Sequence, residues 1–268
     1  VGGGTWGVRR RASGDEGETR GVRGASVVWR EGMTGSVVWW GAEEAGRANA
    51  DWRVGLAPRY DLGSVLDGKV TAEEALIEGP AGLRILSGGV GRAQLANPTR
   101  RELARLFGAL RSLEETYDLL VVDHGAGMGY AVIAHLAAAS SFLLVTNPEV
   151  TALSDAYAVF KRAEAVNPGV RVGVVINSAE SQEVALRAHQ RLDSVSRRFL
   201  GRGLELAGWV QLDPEVPLSV RSRTPLLLGA GESPAARGIR ALADWEGLAR
   251  PHVGGSFYDR AQIGRAHV

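Results

Sequence analysis

Asp123 closes an apolar run, Leu119-Leu120-Val121-Val122, and opens a glycine-rich turn, His124-Gly125-Ala126-Gly127. A short continuous apolar run that stops at glycine punctuation reads as a buried strand. Ligands of open α/β sheets gather at the carboxyl ends of the strands. A carboxylate there can hold magnesium beside phosphates, directly or through water. The same Asp could equally cap a helix that follows the strand. His124 stands next to it, but no Ser or Cys nucleophile motif lies nearby, so a loop histidine is the expectation rather than a catalytic base.

Other residues could share that edge. Asn177 ends the apolar run Val174-Val175-Ile176, and an amide that both donates and accepts suits an adenine edge; the plain alternative is a turn residue. Asp213-Pro214 follows a further apolar stretch and reads as a helix start, with Asp as cap and Pro at the first position. Asn147-Pro148-Glu149 falls at a corresponding place. Ser87-Gly88-Gly89-Val90-Gly91-Arg92-Ala93 superficially mimics a phosphate loop. It lacks the lysine for the β/γ-phosphates and the hydroxyl for the metal, so a connecting turn is expected. No Gly-Lys-Ser or Gly-Lys-Thr occurs anywhere in the chain.

The elements that must position these residues alternate between strand and helix. A short helix is expected over 72–77, capped by Thr71, and a strand over 83–86. Thr99 caps a helix in which Leu103, Leu106, Phe107, Leu110 and Leu113 recur at helical spacing. Strands are expected at 118–123, 141–146, 170–177 and 204–212, with helices at 130–139, 151–166, 184–199 and 233–248. Apolar strands without strict alternation, separated by helices, argue for a three-layer α/β sandwich with a mostly parallel sheet. Ile239, Leu242, Trp245 and Leu248 stripe the last helix, but Glu246 beside them favours packing on the sheet over contact with a membrane.

Composition excludes several classes. The formal net charge of +1 gives no global field for nucleic acid, and the absence of cysteine rules out disulfides and thiolate chemistry. No apolar run approaches the ~20 residues of a membrane span, and no secretory signal opens the sequence, so a cytoplasmic location is expected. The domain frame is an aberrant or disordered segment over 1–47, a folded domain over 48–249 and a tail over 250–268. Short strands at 27–29 and 36–40 are conceivable within the first segment. Ile263–Val268 reads as the translation of a sequencing adapter and is expected to be a non-native end.

Residues from about Gly46 to Leu248 resemble the MinD/ParA type of deviant P-loop ATPase, in particular the bacterial flagellum-number regulators. The resemblance rests on Ala48-Asn49-Ala50-Asp51, Gly82–Gly89, Tyr117–Gly127, Pro148–Tyr157, Val174–Asn177 and Ser233–Arg237. It implies an ATP switch that regulates flagellar number or placement, closing as a homodimer around ATP and Mg2+. Asp123 then resembles the magnesium and water residue, with Gly125 in its turn. Asn177 resembles the adenine-reading asparagine, and Asp213 lies in the second base-contacting loop. Asn49 and Asp51 follow the first switch. Implied partners are a flagellar assembly GTPase or a transcription regulator, with peripheral contact at the inner membrane face. Rival readings are a non-catalytic scaffold remnant of the same family and a DNA-partitioning ATPase; near-neutral charge argues against nucleic acid. The family's Lys-Gly-Gly-Val-Gly-Lys-Thr loop has no counterpart in 1–47, its Asp-x-Asp-x-Gly switch is replaced by Glu43-Glu44-Ala45-Gly46, and the usual Thr or Ser after the acidic residue is His124. Without those phosphate contacts, negligible hydrolysis is expected.

Overall fold

A parallel strand covered on both faces must be apolar on both, and Val172–Ile176 meets that demand. The computed structural model describes residues 8–9, 19–20, 38–42, 55–88, 99–117, 119–124 and 128–248. The strands are β1 (Val8–Arg9), β2 (Thr19–Arg20), β3 (Val38–Ala42), β4 (Leu76–Glu78), β5 (Arg84–Leu86), β6 (Leu120–His124), β7 (Ser141–Thr146), β8 (Arg171–Ala179) and β9 (Glu205–Gln211). The helices are α1 (Leu62–Leu66), α2 (Arg100–Thr116), α3 (Tyr130–Ala138), α4 (Val150–Val166), α5 (Gln182–Leu200), α6 (Glu215–Arg221), α7 (Leu226–Gly229) and α8 (Pro234–Leu242).

Among the described residues, one sheet has the order β4-β5-β3-β6 and another the order β7-β8-β9, while β1 and β2 form an antiparallel pair. Every pairing within the two larger sheets is parallel except β4 with β5. The expected mostly parallel α/β architecture is therefore present. Strand formation at 36–40 is met by β3, which enters between β5 and β6 with Trp39 opposite Ile85 and Val121. The stretch 27–29 and the tail 250–268 lie outside the described residues.

Successive residues of β8 point to opposite faces. Val174 and Ile176 join Leu153, Phe160, Ala185 and Leu192 of α4 and α5. Val175 faces the other way, onto Leu226, Ile239 and Leu242 of α7 and α8. A separate core gathers α1, α2 and β5 around Phe107, Leu106 and Leu110. Helix α3 serves both sides of the molecule: Ala134 and Ala138 pack into the α2 core, while Val132 and Leu136 pack with α4. Asn167, just past α4, donates from Nδ2 to the carbonyls of Leu136 (3.0 Å) and Ala139 (2.9 Å), pinning the far end of α3.

Two local expectations need correction. The helix expected over 72–77 is a single turn. Thr71 and Glu74 form a reciprocal cap, Thr71 N to Glu74 Oε2 at 2.8 Å and Glu74 N to Thr71 Oγ1 at 3.2 Å. Leu76–Glu78 then leaves as β4. One turn cannot offset the cost of helix nucleation, and Gly79-Pro80 blocks extension. The last helix stops at Leu242, and Ala243, Asp244 and Trp245 donate instead to carbonyls three residues back. That tightening lays Trp245 against Gly173, where a Cβ would stand 2.7 Å from the indole. The Arg171 guanidinium lies 5.6 Å from the ring centroid. Helix α6 starts straight after Pro214, as the Asp213-Pro214 pair leads one to expect, and the short α7 follows Pro225.

Helix α8 lies so close to β9 that a Cβ on Gly238 would stand 2.6 Å from the Trp209 carbonyl oxygen. An exposed helical Gly→Ala change stabilises by up to about 1 kcal/mol. Gly238→Ala is expected to do the reverse, costing about 1–3 kcal/mol by forcing helix and strand apart. Urea unfolding of the two chains reads the sign directly.

Candidate functional site

Parallel strands deliver their carboxyl ends to one edge of a sheet, so the residues that terminate them become neighbours in space without being neighbours in sequence. Asp123 is the penultimate residue of β6, registered opposite Gly41 of β3, and is half-buried. His124 departs from the expected loop: it is the last residue of the strand, opposite Ala42. Its ring nitrogens are shielded from solvent, although the residue as a whole is half-buried. The ring lies 4.6 Å from that of His135, tilted by 60°, and His135 meets Phe107 edge-on at 4.9 Å. Burial pushes the His124 imidazole down to about 4. At neutral pH it is uncharged and sets no competing cation beside the Asp123 carboxyl.

In the other sheet, the carboxyl ends carry Thr146, Asn177 and the Leu212–Asp213 turn. The pairing of β8 with β9 slips after Ile176: Ile176 faces Trp209, and the next pair is Ala179 with Gln211. Asn177 and Ser178 form the bulge between, and Ser178 adopts a positive φ of 55° that few non-glycine residues take. A bulge turns a side chain out of the ladder, and such backbone strain persists where the surroundings impose it. Sequence showed a strand-end Asn; it could not show the slip, which arises from pairing with a strand some thirty residues on. Thr146, 7% exposed, ends β7 with a buried hydroxyl that has no hydrogen-bond partner among the described residues. It was missed in the sequence because a strand-terminal Thr is ordinary. The hint was the Asn-Pro-Glu that follows, where Asn147 Oδ1 accepts from Glu149 N at 3.0 Å.

Asp213 is 5% exposed, and its two carboxylate oxygens hold two helix starts at once. Oδ1 accepts from Glu215 N at 2.9 Å at the head of α6, and Oδ2 accepts from Ala235 N at 2.9 Å in the first turn of α8. The local cap matches the sequence expectation; the second bond, 22 residues away, was invisible there. Ser87, which opens the loop-like Gly-rich stretch, is 1% exposed, and its carbonyl accepts from Leu62 N at 2.8 Å, the role of a connecting turn. Gly125, Asn49, Asp51 and residues 89–93 lie outside the described residues.

Among the described residues no group of three or more His, Asp or Glu forms a metal cage. Magnesium, however, keeps several waters and takes one or two carboxylates beside substrate phosphates. The Asp123 carboxyl and the Thr146 hydroxyl, each at the carboxyl end of a strand, are oxygen donors of the kind that suits a metal carried in by a nucleotide.

No family model matches the chain. It is 30% identical over 200 residues to the antiactivator FleN of Pseudomonas aeruginosa, covering 75% of this chain and 71% of that protein. It is 30% identical over 118 residues to the flagellum site-determining protein YlxH of Helicobacter pylori, covering 44% of this chain and 40% of that one. In fold it matches the septum site-determining protein MinD of Pyrococcus horikoshii, solved with Mg-ADP, at a TM-score of 0.62 and 20% identity over 78% of this chain and 82% of that structure. Parallel sheet, flanking helices and carboxyl-edge residues thus define a MinD/ParA-type nucleoside-triphosphatase fold. The chain belongs to the MinD/ParA-type ATPase family, in its FleN-like branch.

Two outcomes are expected. Asp213→Ala leaves two backbone amides without their charged acceptor and costs about 2–4 kcal/mol, with Asp213→Asn intermediate, read from thermal and denaturant midpoints. His124 binds a proton less readily folded than unfolded, so its contribution to stability is complete above about pH 6.5 and is lost as pH falls towards about 4. At about 1.4 kcal/mol per pKa unit that amounts to about 3 kcal/mol at most. The melting temperature of His124→Gln should therefore fall less steeply than the native one between those pH values.

Proposed function

We propose that the chain is an ATP-binding switch that regulates flagellar number or placement, with little hydrolysis of its own. The observation that carries this reading is that Asp123 stands at the carboxyl end of β6, and Thr146 and the bulge-set Asn177 at those of β7 and β8, in a chain akin to FleN and YlxH. Asp123 would hold Mg2+ with the nucleotide phosphates, and the Thr146 hydroxyl would be a further oxygen donor. The metal, when bound, neutralises phosphate charge. Asn177 supplies an amide for the adenine edge, and the turn held by Asp213 closes over the base. Gly125, assigned by resemblance alone, would allow close approach to the phosphates.

Weak hydrolysis follows from where the lysines are. The chain has Lys69 and Lys161 alone. Lys69 is exposed and bound to Asp67 at 3.0 Å, and Lys161 sits in the last half of α4, towards the amino end of the strands. Neither offers the cation that phosphoryl transfer uses on the β/γ-phosphates. The switch would then act by binding: ATP favours a homodimer, and the dimer engages a flagellar assembly GTPase or a transcription regulator in the cytoplasm, with peripheral contact at the membrane. Among the described residues no helix is long and apolar enough to cross a bilayer.

Titration of a fluorescent ATP analogue against the full chain, with and without Mg2+, tests this. The expected result is magnesium-dependent binding, at least about tenfold weaker in Asp123→Asn, a loss of about 1.4 kcal/mol. Phosphate release should stay at the level of buffer. No binding by the folded chain would leave the scaffold reading standing, and brisk phosphate release would overturn the hydrolytic deficiency.

A further inference from the structure

Helix α3 presents Ala134 and Ala138 to the α2 core and Val132 and Leu136 to α4. Alanines raise only low ridges, so packing on that flank resists sliding along the helix axis weakly. The amino end of α3 carries no side-chain cap. Its axial position is held at the other end. Carbonyls in the last turn of a helix have no intrahelical donor. Asn167 Nδ2 supplies one to Leu136 at 3.0 Å and one to Ala139 at 2.9 Å. Both partners are carbonyls, so the amide nitrogen must face them, and its two hydrogens match the two acceptors.

Asn167 is itself fixed through its backbone. Its N–H donates to the Ala163 carbonyl of α4 at 2.8 Å, and its carbonyl accepts from Val170 N at 3.1 Å, immediately before β8. One residue thus ties α3 to a helix and a strand of the other core. On its inner side α3 sets His135, 3% exposed, between two rings: Phe107 of α2 edge-on at 4.9 Å and His124 at 4.6 Å. His124 follows Asp123 at the end of β6. A gap of about 0.5–1 Å forfeits a quarter to a half of a van der Waals contact, so the place of α3 is felt at the tip of β6.

We infer that Asn167 is a positioning residue for the candidate site: through α3 and the contact of His135 with His124, it sets the Asp123 carboxyl relative to Asn177 near the carboxyl end of β8. A plain helix cap would stabilise the fold and leave the site alone. Asn167 differs because the helix it holds carries the ring that lies against His124. This role deepens the ATP-switch reading and rests on it for its effect on Mg2+; the ring contact stands without nucleotide.

Asn167→Asp keeps the shape of the side chain, removes the donor and sets a carboxylate against two carbonyls. Asn167→Ala is the milder variant. Gly238→Ala strains α8 against β9, away from α3, and is the control for lost stability. Two measurements are made on the full chain, at a temperature where circular dichroism shows every variant folded. Without nucleotide, the imidazole proton resonances of His124 and His135, assigned with His124→Gln and His135→Gln, should shift in both Asn167 variants, while those of His189 stay. With Mg2+, a fluorescent ATP analogue should bind Asn167→Asp about tenfold more weakly than the native chain. Combined with Asp123→Asn, it should bind no more weakly than to Asp123→Asn alone, and in EDTA the native and Asn167→Asp chains should match. Unmoved resonances, losses that add, or equal weakening in Gly238→Ala would overturn the positioning role. No Mg-ATP binding by the native chain overturns the switch reading instead, and the imidazole resonances then decide the role of Asn167 by themselves.

Discussion

Strand β8 must satisfy two apolar layers at once, and that double burial governs everything at its end. Val174 and Ile176 are committed to α4 and α5, Val175 to α7 and α8, and each is wholly buried. A shift of one residue would exchange the faces and present each layer with the wrong side chains. The register with β7 is unbroken over Ser141–Thr146 and Arg171–Ile176, whereas the pairing with β9 shifts twice, between Val174 and Val175 and again between Ile176 and Ala179. At the second shift Asn177 and Ser178 leave the ladder at the carboxyl end of the strand.

The same logic operates at the other end of the strand. Gly173 has no side chain because Trp245 occupies that space, and Ser141 Oγ donates to the Gly247 carbonyl at 2.8 Å beside it. The C-terminal turn is thereby held under the amino ends of β7 and β8. The apolar stripe Ile239, Leu242 and Trp245, which by spacing alone would suit a membrane surface, is spent on this contact and on β9.

Much of the fold was legible because its signals are local. Thr99 with Glu102 and Ser233 before Pro234 mark helix starts, and both caps form as written. The apolar runs of β6, β7, β8 and β9 name their strands within a residue or two. What escaped was whatever depends on a distant partner. The turn at 72–75 yields to β4 because β5 offers backbone bonds to Leu76–Glu78. His124 is a strand residue because β3 pairs with it, and the ring of His135 from α3 lies against its own. At the candidate site, Asp123 and Asn177 could be named from the sequence, since strand-end polar residues announce themselves. Thr146 could not, and the two-helix bond of Asp213 needed coordinates, because residue type says nothing about which amides a carboxylate will meet.

Helix α3 begins a few residues after Asp123, and its other end is nailed to α4 through the paired carbonyls that Asn167 holds. A rod fixed at one tip cannot slide; it can only swing. A rotation of α3 about Asn167 would carry its Ala134 and Leu136 flanks against two different cores. The chain has, in effect, a pivot built between its two apolar halves.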